Sequence, residues 1–340
     1  MVSLAQKIKD KAAELGISKI GIAPADALAD EGRRLENWLG HGFQGEMAWM
    51  EREPEKRSDP RVLFPGAKTI IAAAVNYFTP HRHDESSESG KISRYAWGDD
   101  YHEVVKSKLT ALLDWIKTEA PSAEGKACVD TVPIMDKAWA VRAGLGWIGK
   151  NSNVITQEYG SWVFLGEIVL NIELEYDTEI VPDHCGTCTK CIDACPTSAI
   201  VEPYVVDSQK CISYSTIELR DEELPRPIAE NLSGWLYGCD ICQDVCPWNR
   251  FEQPTEESAF EPRNGETSIH LDALERMEHE EYAPRFRRSA MKRTKLGGLK
   301  RNARALRIVP PQGREVEHAV STGRYDPNEN EPNGHFRNKS

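Results

Sequence analysis

Helix and strand patterns alternate to about residue 175, two cysteine runs lie between Cys185 and Cys246, and a basic helical stretch covers 272–306. Together they predict an α/β N-terminal domain, a ferredoxin-like domain for two iron-sulfur clusters, and a short helical C-terminal segment. The expected divisions are 1–175, 176–255, 256–310 and a disordered tail over 311–340. The tail is crowded with Asn, Gly, Pro and charge, and cannot bury enough apolar surface to offset its ordering entropy.

Each element has a local reason. Ser3 and Gln6 have capping-box spacing, Leu4, Ile8, Ala12 and Leu15 recur at helical intervals, and Gly16 supplies a stop. Residues 19–23, KIGIA, alternate as a short strand, and 31–39 return to helical spacing through Leu35, Trp38 and Leu39. The apolar run 69–77 reads as a buried strand. Residues 81–90 are polar and read as a mobile loop. Val104, Val105, Leu109, Leu112, Leu113 and Ile116 then mark one helix face, KACVD ends a strand at Asp130, and Pro133 opens a helix to about Arg142. The turn GLGWIGKNS delivers strands at 153–156 and 162–170, so one sheet under helices is expected.

The run CGTCTKCIDACP, from Cys185 to Pro196, has the spacing C-x2-C-x2-C-x3-C-P, in which three thiolates hold one cluster and the fourth reaches a second. Cys211 and the string CDICQDVCP, with Cys239, Cys242 and Cys246, complete the set. Eight of the nine cysteines fall at or after Cys185, the number two 4Fe-4S clusters need. Cross-ligation assigns Cys185, Cys188, Cys191 and Cys246 to one cluster, and Cys195, Cys211, Cys239 and Cys242 to the other. Four thiolates also suit zinc, but zinc ribbons pair two C-x2-C knuckles rather than this run. Cys128 stands alone in an apolar setting and reads as a small buried hydrophobe.

At 340 residues, 40% hydrophobic and 28% charged, the chain has the composition of an ordinary globular protein. No apolar run reaches the roughly 18 residues of a membrane span, and the first sixteen residues form an amphipathic helix pattern rather than a signal peptide. A cytoplasmic location without a membrane partner is expected, and closely spaced cysteines there are metal ligands before they are disulfides. The net charge of −12 is unevenly spread: 285–307 holds ten Lys or Arg and no acid, leaving −22 on the rest. That asymmetry suits either a polyanion contact or a solvated helix face.

Gly144, Gly146 and Gly149 match the G-x-G-x-x-G fingerprint by letter, but a helix precedes the loop and a strand follows it, the reverse of a dinucleotide site. The glycines read instead as room for some other large ligand. Asp130, at a strand end beside that loop, is either a site residue or a turn cap. His102 falls near a D-x-H-x-x-G cobalt-ligating signature, but Val105 replaces the glycine, so His102 reads as a helix-surface residue.

VDTVPIMDKAWAVRAGLGWIGKNS, CGTCTKCIDACPTSAI, CISYSTIELR and GCDICQDVCPWN together resemble the epoxyqueuosine reductase family, cobalamin-dependent iron-sulfur enzymes of queuosine biosynthesis. The resemblance covers about 1–307. It implies reduction of an epoxide on a modified wobble base of tRNA to an alkene, with cobalamin held between the α/β and cluster domains without a protein histidine on cobalt. It also implies Asp130 as proton donor, and cobalamin contacts from Arg57, Trp97, Asp130, Trp147, Gly149, Lys150, Asn151 and Ser213. Arg220, Arg287, Arg288, Lys292 and Arg293 would contact tRNA. An external low-potential electron donor and a monomeric state complete the expectation. Members continue past KRTKLGGLKRNA into further helical sequence, whereas this chain turns polar after residue 307.

Two rivals share parts of this set. A ferredoxin-type electron carrier would not need about 175 residues ahead of the clusters. A reductive dehalogenase would use the same cofactors on a small organohalide, without use for the basic segment, and commonly carries a twin-arginine leader that this N-terminus lacks. For an aspartic acid to protonate a developing alkoxide near neutrality, its pKa must rise by roughly 2 to 3 units from about 3.9, so burial of Asp130 is expected.

Overall fold

The computed structural model describes residues 2–177 and 179–308; the tail over 311–340 lies outside the described residues. Ser3 caps the first helix as its spacing predicts. Its Oγ accepts the Gln6 N–H at 3.2 Å, and α1, Leu4–Glu14, buries Ala5, Ile8 and Ala12. The chain continues through β1 (Lys19–Pro24), α2 (Ala29–Gly40), β2 (Thr69–Asn76), β3 (Ser89–Ile92), α3 (Tyr101–Glu119), β4 (Gly125–Cys128), α4 (Asp136–Arg142), β5 (Trp147–Ile148), β6 (Val154–Ile155) and β7 (Val163–Leu170).

The main sheet has the order β1-β2-β7-β4 and is antiparallel at every junction. It is covered on both faces, which is why β2 is apolar almost without alternation. Ile71, Ala73 and Val75 join the core under α1 and α3, while Ile70, Ala72 and Ala74 join the core under α4. Helix α3 buries Val105, Leu109, Leu112, Leu113 and Ile116 from its 3.6-residue repeat. Truncating Leu112, fully buried, to Ala would cost about 2–5 kcal/mol. Cys128 is fully buried in β4, and burial pushes its thiol up to about 11, in keeping with a structural role.

The cysteine-bearing part adds α5 (Lys190–Asp193), β8 (Ile200–Glu202), β9 (Val205–Val206), α6 (Ile212–Ile217), β10 (Trp235–Tyr237) and α7 (Ile241–Asp244), followed by β11 (Ser268–His270) and α8 (Lys295–Ile308). The stretch expected to be a mobile loop ends in β3, which pairs in parallel with β10 and antiparallel with β11. One sheet thus takes a strand from each of the three segments expected to be domains. The boundaries near 175 and 255 mark changes in sequence character rather than separately packed units.

The helical pattern over 272–306 is interrupted. Met277 and Glu278 are extended between the helices Leu271–Arg276 and His279–Arg285, and a 3-10 turn at Ala290–Thr294 precedes α8. Among the described residues, no helix is long and apolar enough to cross a membrane.

Candidate active site

The cysteines fall into two neighbouring groups. Cys191 lies within electrostatic reach of Cys246, Cys185 and Cys188. Cys242 feels Cys211 and Cys195, and Cys239 feels Cys242 and Cys211. Cys242 also feels Cys191, so the two groups adjoin. Among the described residues, no three His, Cys, Asp or Glu side chains converge as a single ion would require. The groups therefore do not have the compact tetrahedral form of structural zinc. Burial pushes the Cys191 thiol up to about 11 and the Cys239 and Cys242 thiols well above the ordinary range. Such thiols ionise when a cationic core compensates them, so the donor set fits two iron-sulfur clusters.

The glycine loop is explained by packing. A Cβ at Gly146 would lie 2.0 Å from the Ile155 carbonyl oxygen, and one at Gly149 would lie 2.5 Å from Ile155 Cδ1. These glycines let β5 close on β6.

Other expected cobalamin contacts also serve the protein itself. Lys150, 9% exposed, donates its ammonium to the carbonyls of Gly186 at 2.7 Å and Cys188 at 2.9 Å. Asn151 Nδ2 donates to the Cys242 carbonyl at 3.1 Å. Trp147 is buried beside His184 and Trp248, with its indole N–H directed at the Cys185 thiol. Trp97 is core: Nε1 donates to the Ile92 carbonyl at 2.7 Å, and the Arg94 guanidinium lies over its ring. Ser213, half-buried in α6, directs its backbone N–H at Cys211.

Asp130 follows β4 in the left-handed region, φ 38°. Its Oδ2 accepts from the Tyr101 hydroxyl at 2.5 Å and lies 3.1 Å from His102 Nε2, while Oδ1 makes no hydrogen bond among the described residues. The His102 hydrogen bond holds its carboxyl below the usual carboxylate range, against a desolvation that pushes it up, and Tyr101 adds to the lowering. The burial expected to raise its pKa is partial, the side chain being 53% exposed, and the hydrogen bonds outweigh it. Sequence reasoning also missed His102, which reads as surface by helical position. The signal was D-x-H at a helix start, because Asp100 caps α3 and places its carboxylate against the imidazole Nδ1 at 2.7 Å.

Around Asp130 stand groups that sequence reasoning left unassigned. Lys137, on α4, donates its ammonium to the Ser152 carbonyl at 2.7 Å and feels the charges of Cys242, Asp130, Asp136 and Cys211. Asp136 and fully buried Glu167 feel one another, Asp136 Oδ1 and both Glu167 oxygens are buried without a hydrogen-bond partner, and desolvation raises both carboxyl groups. Arg57 feels Asp136 and Asp130, donates to the Trp49 carbonyl at 3.0 Å, and has a buried Nε without a partner. Of the expected cobalamin contacts, Arg57 and Asp130 thus lie within electrostatic reach of one another, and Ser213 lies beside Cys211.

The basic segment is largely neutralised. Arg288 pairs with Glu103 at 2.7 Å, Arg293 with Glu218 at 2.8 Å, and Arg285 with Glu266 at 2.8 Å. Arg301 is buried and donates to the carbonyls of Ser215, Leu219 and Asp221. Arg287, Lys292, Lys295 and Arg304 are exposed and make no ion pair among the described residues. Arg220, Lys295 and Arg304 line a groove of about 620 Å³.

Residues 57–131 match the family model described as epoxyqueuosine reductase QueG, DUF1730, and 184–249 match a 4Fe-4S double cluster binding domain. An epoxyqueuosine reductase of Synechocystis sp. is 51% identical over 84% of this chain and 99% of its own. One of Cellulophaga algicola is 48% identical over 87% and 95%. Among solved structures, an epoxyqueuosine reductase with an epoxyqueuosine-modified tRNA-Tyr stem loop superposes with a TM-score of 0.83 at 34% identity, covering 89% of this chain and 80% of that one. A Bacillus subtilis epoxyqueuosine reductase, with its catalytic aspartate loop swung out of the active site, gives 0.83 at 33% over the same shares.

Proposed function

Because the chain belongs to the epoxyqueuosine reductase family, we propose that it is an oxidoreductase that reduces epoxyqueuosine in tRNA to queuosine. One observation supports the reading: Asp130 Oδ2 is held by Tyr101 and His102, and Lys137 feels both that carboxylate and the Cys242 and Cys211 thiols. A proton-handling group and the end of an electron path therefore share a neighbour. That a Bacillus subtilis relative has a catalytic aspartate loop supports an aspartate, here Asp130, as the group that meets the substrate oxygen.

Opening the epoxide to an alkene takes two electrons and two protons and releases the oxygen as water. Two 4Fe-4S clusters on the assigned quartets would supply electrons singly in series, and cobalamin, when bound, would supply a strongly reduced cobalt. Arg57, Asp130 and Ser213, with Lys137 beside them, would be among the residues that hold that cofactor. Within this frame Asp130 orients a proton toward the leaving oxygen, and Lys137 balances charge between the carboxylate and the thiolates. The exposed Arg287 and Lys292 suit tRNA phosphates. A tRNA substrate makes the site cytoplasmic, and an external low-potential donor and a monomeric enzyme complete the reading.

The test is anaerobic reconstitution with iron, sulfide and cobalamin, then single turnover on epoxyqueuosine-containing tRNA, read by mass spectrometry of the nucleosides. Queuosine should form, with about eight irons per chain. A fully loaded, folded protein that leaves epoxyqueuosine intact sinks the proposal.

A further inference from the structure

Asp130 presents a chemical problem that the fold itself answers. A group meant to deliver a proton is held ionised, with two protonated neighbours on its Oδ2. Of these, burial and the charge of Asp130 push the Tyr101 phenol far above its ordinary range, so it does not release its proton near neutrality. His102 differs. It lies between two carboxylates, Asp100 at Nδ1 and Asp130 at Nε2, at 2.7 and 3.1 Å, and its ring stacks on Tyr101 with centroids 4.0 Å apart. Tyr101 in turn stacks on Phe164 at 4.4 Å, which fixes the plane from which the imidazole reaches Asp130.

Resting on the reading of Asp130 as the group that meets the epoxide oxygen, we propose that the Asp100–His102–Asp130 chain is the proton store of the site. In this arrangement His102 is a positioning residue that acts through Asp130. The N–H bond at His102 Nε2 breaks as an O–H bond forms at Asp130. The carboxylic acid then gives up its proton as the O–H bond forms at the oxygen leaving the epoxide. Asp130 ends as the carboxylate it began as, and His102 ends neutral. The two electrons come from the external reductant of the reaction, and solvent supplies the second proton and recharges His102. Asp100 has a double task, since the carboxylate that caps α3 also holds the Nδ1 proton and so keeps the imidazolium charged.

The electrostatics agree with the geometry. Burial disfavours the imidazolium, but hydrogen bonds to Asp100 and Asp130 outweigh it and raise His102 to about 9. Facing this unit are Tyr101 on its own helix, Lys137 and Asp136 from α4, Arg57, and Arg293 ahead of α8. The three cations stabilise Asp130 as carboxylate and leave the stored proton on the imidazole. The sign follows: a pKa raised above about 6.5 means a store that is full at neutral pH and empties as pH rises through about 9.

His102→Gln separates this store from a mere latch on the Asp130 loop, because the Gln amide can donate to Asp130 but carries no titratable proton. In single turnover the unsubstituted enzyme should hold a plateau to about pH 9. In His102→Gln the proton must come from Asp130 itself, so the rate should fall about tenfold per pH unit between roughly 6 and 8. A second readout needs neither substrate nor cobalamin: NMR titration of carbon-labelled histidine, with the His102 signal assigned by its absence in His102→Gln. Its midpoint should lie near 9 and drop by at least a unit in Asp130→Asn. A midpoint near 6.5, or a variant whose rate drops by one constant factor at every pH, overturns the proposal. Failure of the unsubstituted protein to reduce epoxyqueuosine is a different result and sinks the substrate reading, whereas the titration decides the proton store on its own.

Discussion

The two cysteine groups arise from nearly interchangeable sequence, a C-x2-C run carried into a four-residue helix, yet they occupy unlike surroundings. The first, Cys185, Cys188, Cys191 and Cys246, lines a cavity of about 170 Å³ with His184, Lys190 and Trp248. The second places Cys242 and Cys211 within reach of Lys137, which also feels Asp130. The difference is made by the α/β part. Lys150 and Asn151 leave the same turn and bind different loops, one the carbonyls of the first group, the other the carbonyl of Cys242. On the proposed reading, a pair of equivalent ligand sets thereby acquires a direction, in which electrons would enter at the first and leave at the second.

The strongest way to break this comparison is to remove one group at a time. Cys188→Ser and Cys239→Ser should each lower iron from about eight to about four per chain and abolish single-turnover reduction. The two should differ in a partial reaction. Cys188→Ser, which retains the second group, should still reduce bound cobalamin when a strong small-molecule reductant replaces the protein donor, whereas Cys239→Ser should not. Equal behaviour in that assay would remove the direction.

Asp130→Asn probes the exit side alone. It should keep both clusters and lose about 100-fold or more in single turnover, the scale of general acid catalysis. A near-normal rate would return Asp130 to a turn residue, which its φ of 38° also permits.

On the entry side, Lys150→Met keeps the aliphatic stem and removes two hydrogen bonds from a buried ammonium. The loss should be about 1.5–3 kcal/mol in stability, with faster chelation of iron from the first group than from the second. Uniform iron loss would mean that the turn does not distinguish the groups.

These contrasts mark what the sequence reveals and what it conceals. The double-cluster domain was legible because cluster ligation is written in local spacing, and the capped first helix and the doubly buried β2 because each rests on periodicity. Lys150, Asn151 and Gly149 were legible as a motif, but their partners lie up to 91 residues away, and spacing says nothing of where an ammonium or amide will point. Asp130 was found by its place after a strand. Its ionisation could not be read from the sequence because the neighbours that lower it, Tyr101 and His102, come from another helix. The basic segment was overcounted for the same reason, its acidic partners Glu103, Glu218 and Glu266 being remote in sequence.

That overcount sharpens the smallest of the predicted effects. Arg293 feels Asp130 and pairs with Glu218, just past α6, so the basic segment borders the exit side. If tRNA docks there, the charges that release counterions are those free of internal partners. Arg287→Ala with Lys292→Ala should reduce the slope of log affinity against log salt by up to about two. Arg288→Ala with Arg293→Ala should reduce it less, because each guanidinium must first leave Glu103 or Glu218, and its removal frees a carboxylate that repels phosphate. Lys190→Ala, an exposed charge on the entry side, should leave the slope unchanged. A slope that responds to Lys190 as strongly as to Arg287 would place tRNA across both groups, and the separation of an electron entrance from a substrate face would fail.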